Sequence, residues 1–251
     1  MTLHDTTLTL CLDAGNTRLK YGVHDGRAWR AQGALDHAET ERLLALLMTL
    51  PPTRIVACNV AGEAMRARIE ARASQLNVPL SWLRANAAVG DLRNGYDMPA
   101  QLGADRWAAL IAARALGDGA TVVVLAGTAT TIDLLAADGG FQGGLILPGL
   151  TLMRQSLARH TADLPEARGV FRERPTNTDD AIVSGALHAT LGAIERMRAQ
   201  LGSATQCLVS GGAAAALLPH LALPARQVEH LVLEGLRRYA AIIPAADNNM
   251  H

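Results

Sequence analysis

Two stretches of this chain repeat one pattern, and the repeat limits the folds open to it. Residues 8–12 alternate and then run apolar into Asp13-Ala14-Gly15-Asn16-Thr17, and a second short strand pattern follows as far as Asp25-Gly26. Residues 121–125 run likewise into Ala126-Gly127-Thr128-Ala129-Thr130, and residues 131–136 read as the next strand. Asp13-Ala14-Gly15-Asn16 lies over Leu125-Ala126-Gly127-Thr128, each copy at a strand end and ahead of another strand. A strand–turn–strand unit opening each half of the chain predicts a duplicated, two-domain architecture.

The intervening sequence alternates strands with helices. Leucines recur at helical spacing over residues 39–48, residues 54–60 read as a buried strand, and residues 63–76 mix Arg and Glu with Ala, Ile and Leu as an amphipathic helix does. That alternation predicts an α/β fold. A polar, glycine-bearing stretch over 86–103 interrupts it, and a helix over 105–116 ends at Gly117 and Gly119. The domains are therefore expected at 1–117 and 118–251. The second half continues as a strand over 142–147, Pro148-Gly149, helices over 150–159 and 179–200, a strand over 206–210, and Gly211-Gly212 before an Ala-rich helix.

Composition excludes several classes of function. Apolar residues make up 49% and charged residues 18%, too apolar a balance for a disordered chain. Lys plus Arg and Asp plus Glu are equal at 23 each, and aromatics are 3%, so neither a basic field nor stacking platforms are on hand for nucleic acid or an anionic membrane. The opening residues, 1–12, lack an export-signal pattern. The longest uncharged stretch, 199–225, is broken by Gly202, Gly211, Gly212, Pro219 and Pro224. A soluble, cytoplasmic protein is expected, with no nucleic-acid or membrane partner. Cys11, Cys58 and Cys207 sit among apolar neighbours with no CxxC spacing, and the eight histidines form no HExxH, so reduced core cysteines and no structural metal are expected.

The two turns are the first candidates for chemistry. Asp-Ala-Gly-Asn-Thr brings backbone N–H groups and short polar side chains to a concavity suited to anionic oxygen, phosphate above all. Asp13 offers a hard oxygen to Mg2+, directly or through water, and Lys20 a point charge. The same residues also make an ordinary Asx-containing turn. In the second turn Thr128, Thr130 and Thr131 offer three hydroxyls beside Gly127, though Thr also suits a strand. No GxxxxGK[ST] is present, which excludes a Walker-type loop.

Gly103-Ala104-Asp105-Arg106 opens a helix, where Asp105 serves as a cap, as a catalytic acid, or as both. The positive end of the helix dipole is expected to keep that carboxylate ionised and ready to take a proton. Gly143-Gly144, Pro148-Gly149 and Gly211-Gly212 either admit a flat ring against the backbone or form plain turns. Thr178, after Asn177, reads as a helix cap or as a ligand.

In order along the chain, Asp13-Ala14-Gly15-Asn16-Thr17, Tyr96 with Pro99, Gly103-Ala104-Asp105-Arg106, Gly127-Thr128-Ala129-Thr130, Gly143-Gly144 through Pro148-Gly149, Asn177-Thr178 and Ser210-Gly211-Gly212 resemble the motifs of the type III pantothenate kinases. These belong to the acetate and sugar kinase, Hsp70 and actin superfamily. The resemblance covers nearly the whole chain. It implies two duplicated ribonuclease-H-like (actin-like ATPase) domains with ATP in an interdomain cleft, and pantothenate phosphorylated at its primary hydroxyl in the first step of coenzyme A biosynthesis. By that resemblance Asp13, Ala14, Gly15, Asn16, Thr17, Arg18, Leu19, Lys20 and Thr128 hold ATP, and Asp13 also holds Mg2+. Asp105 is the general base, while Tyr96, Gly103, Ala104, Asp105, Arg106 and Thr178 shape a pantothenate pocket that forms at a homodimer interface in the family. Arg106 either pairs with an anionic group on the acceptor or steadies the transferring phosphoryl.

One position departs from the family pattern. Where the family usually has an Asp that helps bind an activating monovalent cation, K+ or NH4+, this chain has Leu125. Leucine offers no oxygen, so a weak or absent potassium response is expected. Two other functions share the fold: a kinase acting on another small hydroxyl acceptor, against which the stretch from Tyr96 to Arg106 speaks, and a non-catalytic regulatory relative, against which intact Asp13, Asp105 and Thr128 speak.

Overall fold

The computed structural model describes residues 7–39, 41–202, 204–222 and 224–243. The first half of the stretch read for an export signal, residues 1–6, therefore lies outside the described residues. In chain order the elements are β1 (Thr9–Ala14), β2 (Arg18–His24), β3 (Trp29–Asp36), α1 (Glu41–Thr49), β4 (Arg54–Asn59), α2 (Glu63–Gln75), β5 (Leu80–Trp82), β6 (Ala88–Val89) and β7 (Leu92–Asn94). Next come α3 (Ala104–Leu116), β8 (Thr121–Ala126), β9 (Ala129–Leu135), β10 (Gly140–Pro148), α4 (Leu150–His160), α5 (Thr178–Arg198), β11 (Gln206–Ser210), α6 (Ala214–Leu217), β12 (Ala225–Gln227) and α7 (Leu231–Ile242).

The fold is α/β with two sheets, and the duplication seen in the turns extends through both. The first sheet has the order β3-β2-β1-β4-β5. The second contains β10-β9-β8-β11-β12, the same order by position, and adds β7-β6 beyond β10. In each, a hairpin (β1–β2 or β8–β9, antiparallel) is joined on its other side by a parallel strand, β4 or β11. Central strands flanked on both sides must satisfy two apolar faces, which is why β1 is buried at every residue and β8 reads Thr-Val-Val-Val-Leu-Ala.

Each unit has its own core. In the first, Leu10, Leu12, Ile55 and Ala57 of the sheet meet Leu43 and Leu47 of α1 and Met65 and Ile69 of α2. In the second, Val122, Val124, Ile132 and Val209 meet Val183, Leu187, Leu191 and Ile194, one stripe of α5. Cys11, Cys58 and Cys207 are buried and unpaired, and burial pushes the Cys11 thiol up to about 12 and that of Cys207 to about 11. Among the described residues no helix is long and apolar enough to cross a membrane.

The compact units divide the chain differently from a single cut after residue 117. The first comprises the residues up to Val89, Asp97–Ala112 and the segment from Leu231; the second comprises Gly90–Tyr96 and Ala113–His230. Two pairings cause this. Strand β7 joins the second sheet beside β10. Helix α7, absent from the sequence-based reading, packs on β1, β2 and β4 of the first sheet with Leu231, Leu233 and Leu236 fully buried. Gly235 is required there, because a Cβ at that position would run into the Ala108 carbonyl of α3. The short strands β5, β6, β7 and β12, and the longer β3, also lie in stretches where no strand was expected.

Candidate active site

The residues of the first turn assemble around a buried carboxylate. Asp13, the penultimate residue of β1, is 3% exposed. Its register partners are Lys20 on β2 and Cys58 on β4. Lys20 Nζ donates to Asp13 Oδ2 at 3.2 Å, and Cys58 Sγ donates to Oδ1 at 3.7 Å. A buried anion needs such partners to offset the loss of water. Burial and the nearby charges of Asp13 and Asp105 together hold the Cys58 thiol well above its ordinary range.

Between the strands, Gly15 N–H donates to Arg18 O at 3.1 Å and closes the turn, leaving Asn16, Thr17 and Arg18 exposed. Ala14 and Leu19 instead have their side chains in the apolar core, so their backbone is what they can offer a ligand. Arg18 Nε pairs with Asp36 Oδ1 at 3.0 Å. His37, which the sequence did not single out, sets Nε2 2.9 Å from the Gly15 carbonyl oxygen.

Asp105 belongs to the same unit and lies in the first turn of α3, half-buried. Its Oδ1 accepts from the Arg106 N–H at 2.9 Å. A Cβ on Gly103 would come within 2.7 Å of that same oxygen, so the glycine keeps room for the carboxylate. Burial raises the Asp105 pKa above the ordinary carboxylate value; the Arg106 N–H opposes this, and the negative charge of Asp13 adds to it. Desolvation thus acts against the effect expected of the helix terminus, and the net shift is upward. Arg106 is itself buried, 3% exposed.

The remaining predicted residues belong to the second unit. Thr128 is exposed at the β8–β9 turn, where Gly127 N–H donates to Ala129 O at 3.0 Å and Gly149 N–H to Thr128 O at 2.8 Å. Of the three hydroxyls expected there, those of Thr130 and Thr131 are buried without a hydrogen-bond partner, so only Thr128 faces outward. Leu125 pairs in register with Thr131 and Ser210. Tyr96 is half-buried, its ring 5.4 Å from that of Phe141. Thr178 is the first residue of α5 and the capping role falls to Asn177, whose side chain accepts from Asp180 N–H. Thr178 is left to line a cavity of about 920 Å³ with Pro148, Met153, Leu157 and Ile182.

Asp13 fits Mg2+ by its chemistry. That ion commonly takes one or two carboxylates together with substrate phosphates rather than a full protein cage, and among the described residues no cluster of three or more His, Cys, Asp or Glu could form such a cage.

Among solved structures, a conserved protein from Campylobacter jejuni with a proposed assignment to the Baf family of transcriptional activators matches with a TM-score of 0.61 at 21% identity, covering 92% of this chain and 97% of that one. A Sinorhizobium meliloti protein with a proposed 2-dehydro-3-deoxygalactonokinase assignment matches with a TM-score of 0.59 at 19% identity, covering 94% and 99%. At these identities the likeness concerns the fold alone, an α/β fold of the actin-like ATPase type. The family is narrower: the model of the type III pantothenate kinases matches residues 9–200, and a type III pantothenate kinase of Aromatoleum aromaticum is 51% identical over 232 residues, covering 91% of this chain and 96% of that protein. This chain belongs to the type III pantothenate kinase family.

Proposed function

We propose that the protein transfers the γ-phosphoryl group of ATP to the primary hydroxyl of pantothenate, yielding 4'-phosphopantothenate and ADP at the entry to coenzyme A biosynthesis. The observation that carries this reading is the pairing, within one unit, of the clamped Asp13 carboxylate with an Asp105 whose proton affinity is raised. Asp105 takes the hydroxyl proton as the oxygen attacks the γ-phosphorus; the bond from that phosphorus to the bridging oxygen breaks and ADP departs with the electron pair. A carboxylate of raised pKa is the stronger base for that step. Phosphoryl transfer otherwise demands positioning and charge neutralisation.

The Asp13-to-Lys20 turn and Thr128 serve the ATP phosphates in this reading, with Asp13 holding Mg2+, which when bound neutralises phosphate charge. Tyr96, Gly103, Ala104, Arg106 and Thr178 serve pantothenate. The exposed apolar surface of Leu145 and Ile146 on β10 and Leu152 and Leu157 on α4 supports a homodimer through the second unit. An ATP-dependent kinase of a biosynthetic precursor fits the cytoplasm. Leu125 supports turnover without a potassium requirement.

A coupled assay with ATP, Mg2+ and a panel of acceptors tests the reaction. Pantothenate should be the preferred acceptor; a sugar or short hydroxy acid turned over in its place would overturn the substrate assignment, and no turnover of any acceptor would favour a regulatory relative.

A further inference from the structure

The first turn is tied to its own unit at two points, and one of the ties bears on what the turn can bind. Gly15 O is a pure acceptor, so His37 Nε2, 2.9 Å away, must carry the hydrogen of that bond. His37 is held in place by Arg68 of α2, whose Nη2 donates to the His37 carbonyl at 2.9 Å. The adjacent Asp36 pairs with Arg18 at the far end of the turn. The peptide unit joining Gly15 to Asn16 is planar and trans, so pinning its carbonyl toward His37 sends the Asn16 N–H the opposite way.

We propose that His37 is a positioning residue for nucleotide: by anchoring the Gly15 carbonyl, it pre-aims the Asn16 N–H and keeps the Asp13–Lys20 turn in its phosphate-binding shape. This rests on the reading that the turn holds ATP phosphates. An N–H aimed in advance costs nothing to orient when an anion arrives, whereas a free peptide unit must first be ordered. The function depends on the donor and not on the ring. Glutamine, whose Nε2 stands at a similar reach from the backbone, should therefore replace histidine, and alanine should not.

The test uses the full chain and three variants, His37→Ala, His37→Gln and Lys20→Met. Each is measured for KM of ATP, KM of pantothenate, kcat, and direct affinity for ADP by calorimetry. His37→Ala should raise the KM of ATP and weaken ADP binding by about fivefold, the worth of one ordinary hydrogen bond, with the KM of pantothenate unchanged. His37→Gln should restore both. A His37→Ala protein with unaltered nucleotide affinity, or a His37→Gln protein as impaired as the alanine variant, overturns the proposal. If Lys20→Met weakens ADP while His37→Ala does not, the brace alone is wrong; if neither does, the phosphate role of the whole turn fails with it.

Discussion

The two hairpins β1–β2 and β8–β9 occupy the same place in the same strand order, yet they solve different chemical problems. In the first, Asp13 faces Lys20 on one neighbouring strand and Cys58 on the other. In the second, the matching positions are Leu125, Thr131 and Ser210, with no charge among them. The turns differ too: β1 and β2 close at the Ala14–Leu19 pair, β8 and β9 one residue tighter at Ala126–Thr130. The duplicated scaffold tolerates both because the register fixes where three side chains meet, not what they are. One copy sets a carboxylate against an ammonium and a thiol, the other an apolar side chain against two hydroxyls.

That contrast can be broken in four places. The largest effect should come from Asp105→Asn, which keeps the acceptor for the Arg106 N–H but removes the base; kcat should fall by about 10²- to 10⁴-fold. Undiminished turnover would remove Asp105 from the mechanism. In the parent enzyme the acid limb of kcat against pH should lie above the ordinary carboxylate range, because the base must be ionised and its pKa is raised. The stability counterpart has the opposite benefit. A carboxylate whose folded pKa exceeds its unfolded one penalises folding at neutral pH, and the penalty vanishes below the unfolded value of about 4. Asp105→Asn should therefore melt no lower than the parent at pH 7, with any advantage shrinking toward pH 4.

Next in size is Lys20→Met, which strands the Asp13 carboxylate. Lys20 is 41% exposed, so the cost falls short of a fully buried pair, at about 1–2 kcal/mol by denaturant unfolding. The double variant with Asp13→Asn should recover most of that loss. Third, replacing sodium by potassium should leave the parent's activity nearly unchanged, while Leu125→Asp, which puts a carboxylate at the second hairpin's matching position, should introduce a potassium response; a steep response in the parent would erase the contrast. The smallest effect is Asn177→Ala in the second unit, a lost helix cap worth about 1 kcal/mol by thermal melting, with the KM of pantothenate more affected than that of ATP.

Much of this was legible in the sequence where local chemistry decides the structure. The twin turns, the buried strands and the α3 opening at Gly103 all follow from short-range patterns, and so did Asp13, Lys20 and Asp105 as the residues of interest. What escaped was set by distant contacts. His37 reaches Gly15 only because β3 runs antiparallel to β2 and returns the chain beside the turn. Cys58 looked like a plain core thiol, and only the β1–β4 register sets it against Asp13. The Thr130 and Thr131 hydroxyls looked available until β9 turned them inward. The Asp105 pKa went the other way from the dipole argument because burial is a property of the packed unit, not of the helix.

Helix α7 gives the chain's last described segment a task in its first sheet, covering β1, β2 and β4. During synthesis, then, the amino-terminal half leaves the ribosome without the helix that packs on that sheet. The helix can arrive only after the second unit has been made. Ending translation before Leu231 would leave a protein with every proposed catalytic side chain and an unfinished wall behind them.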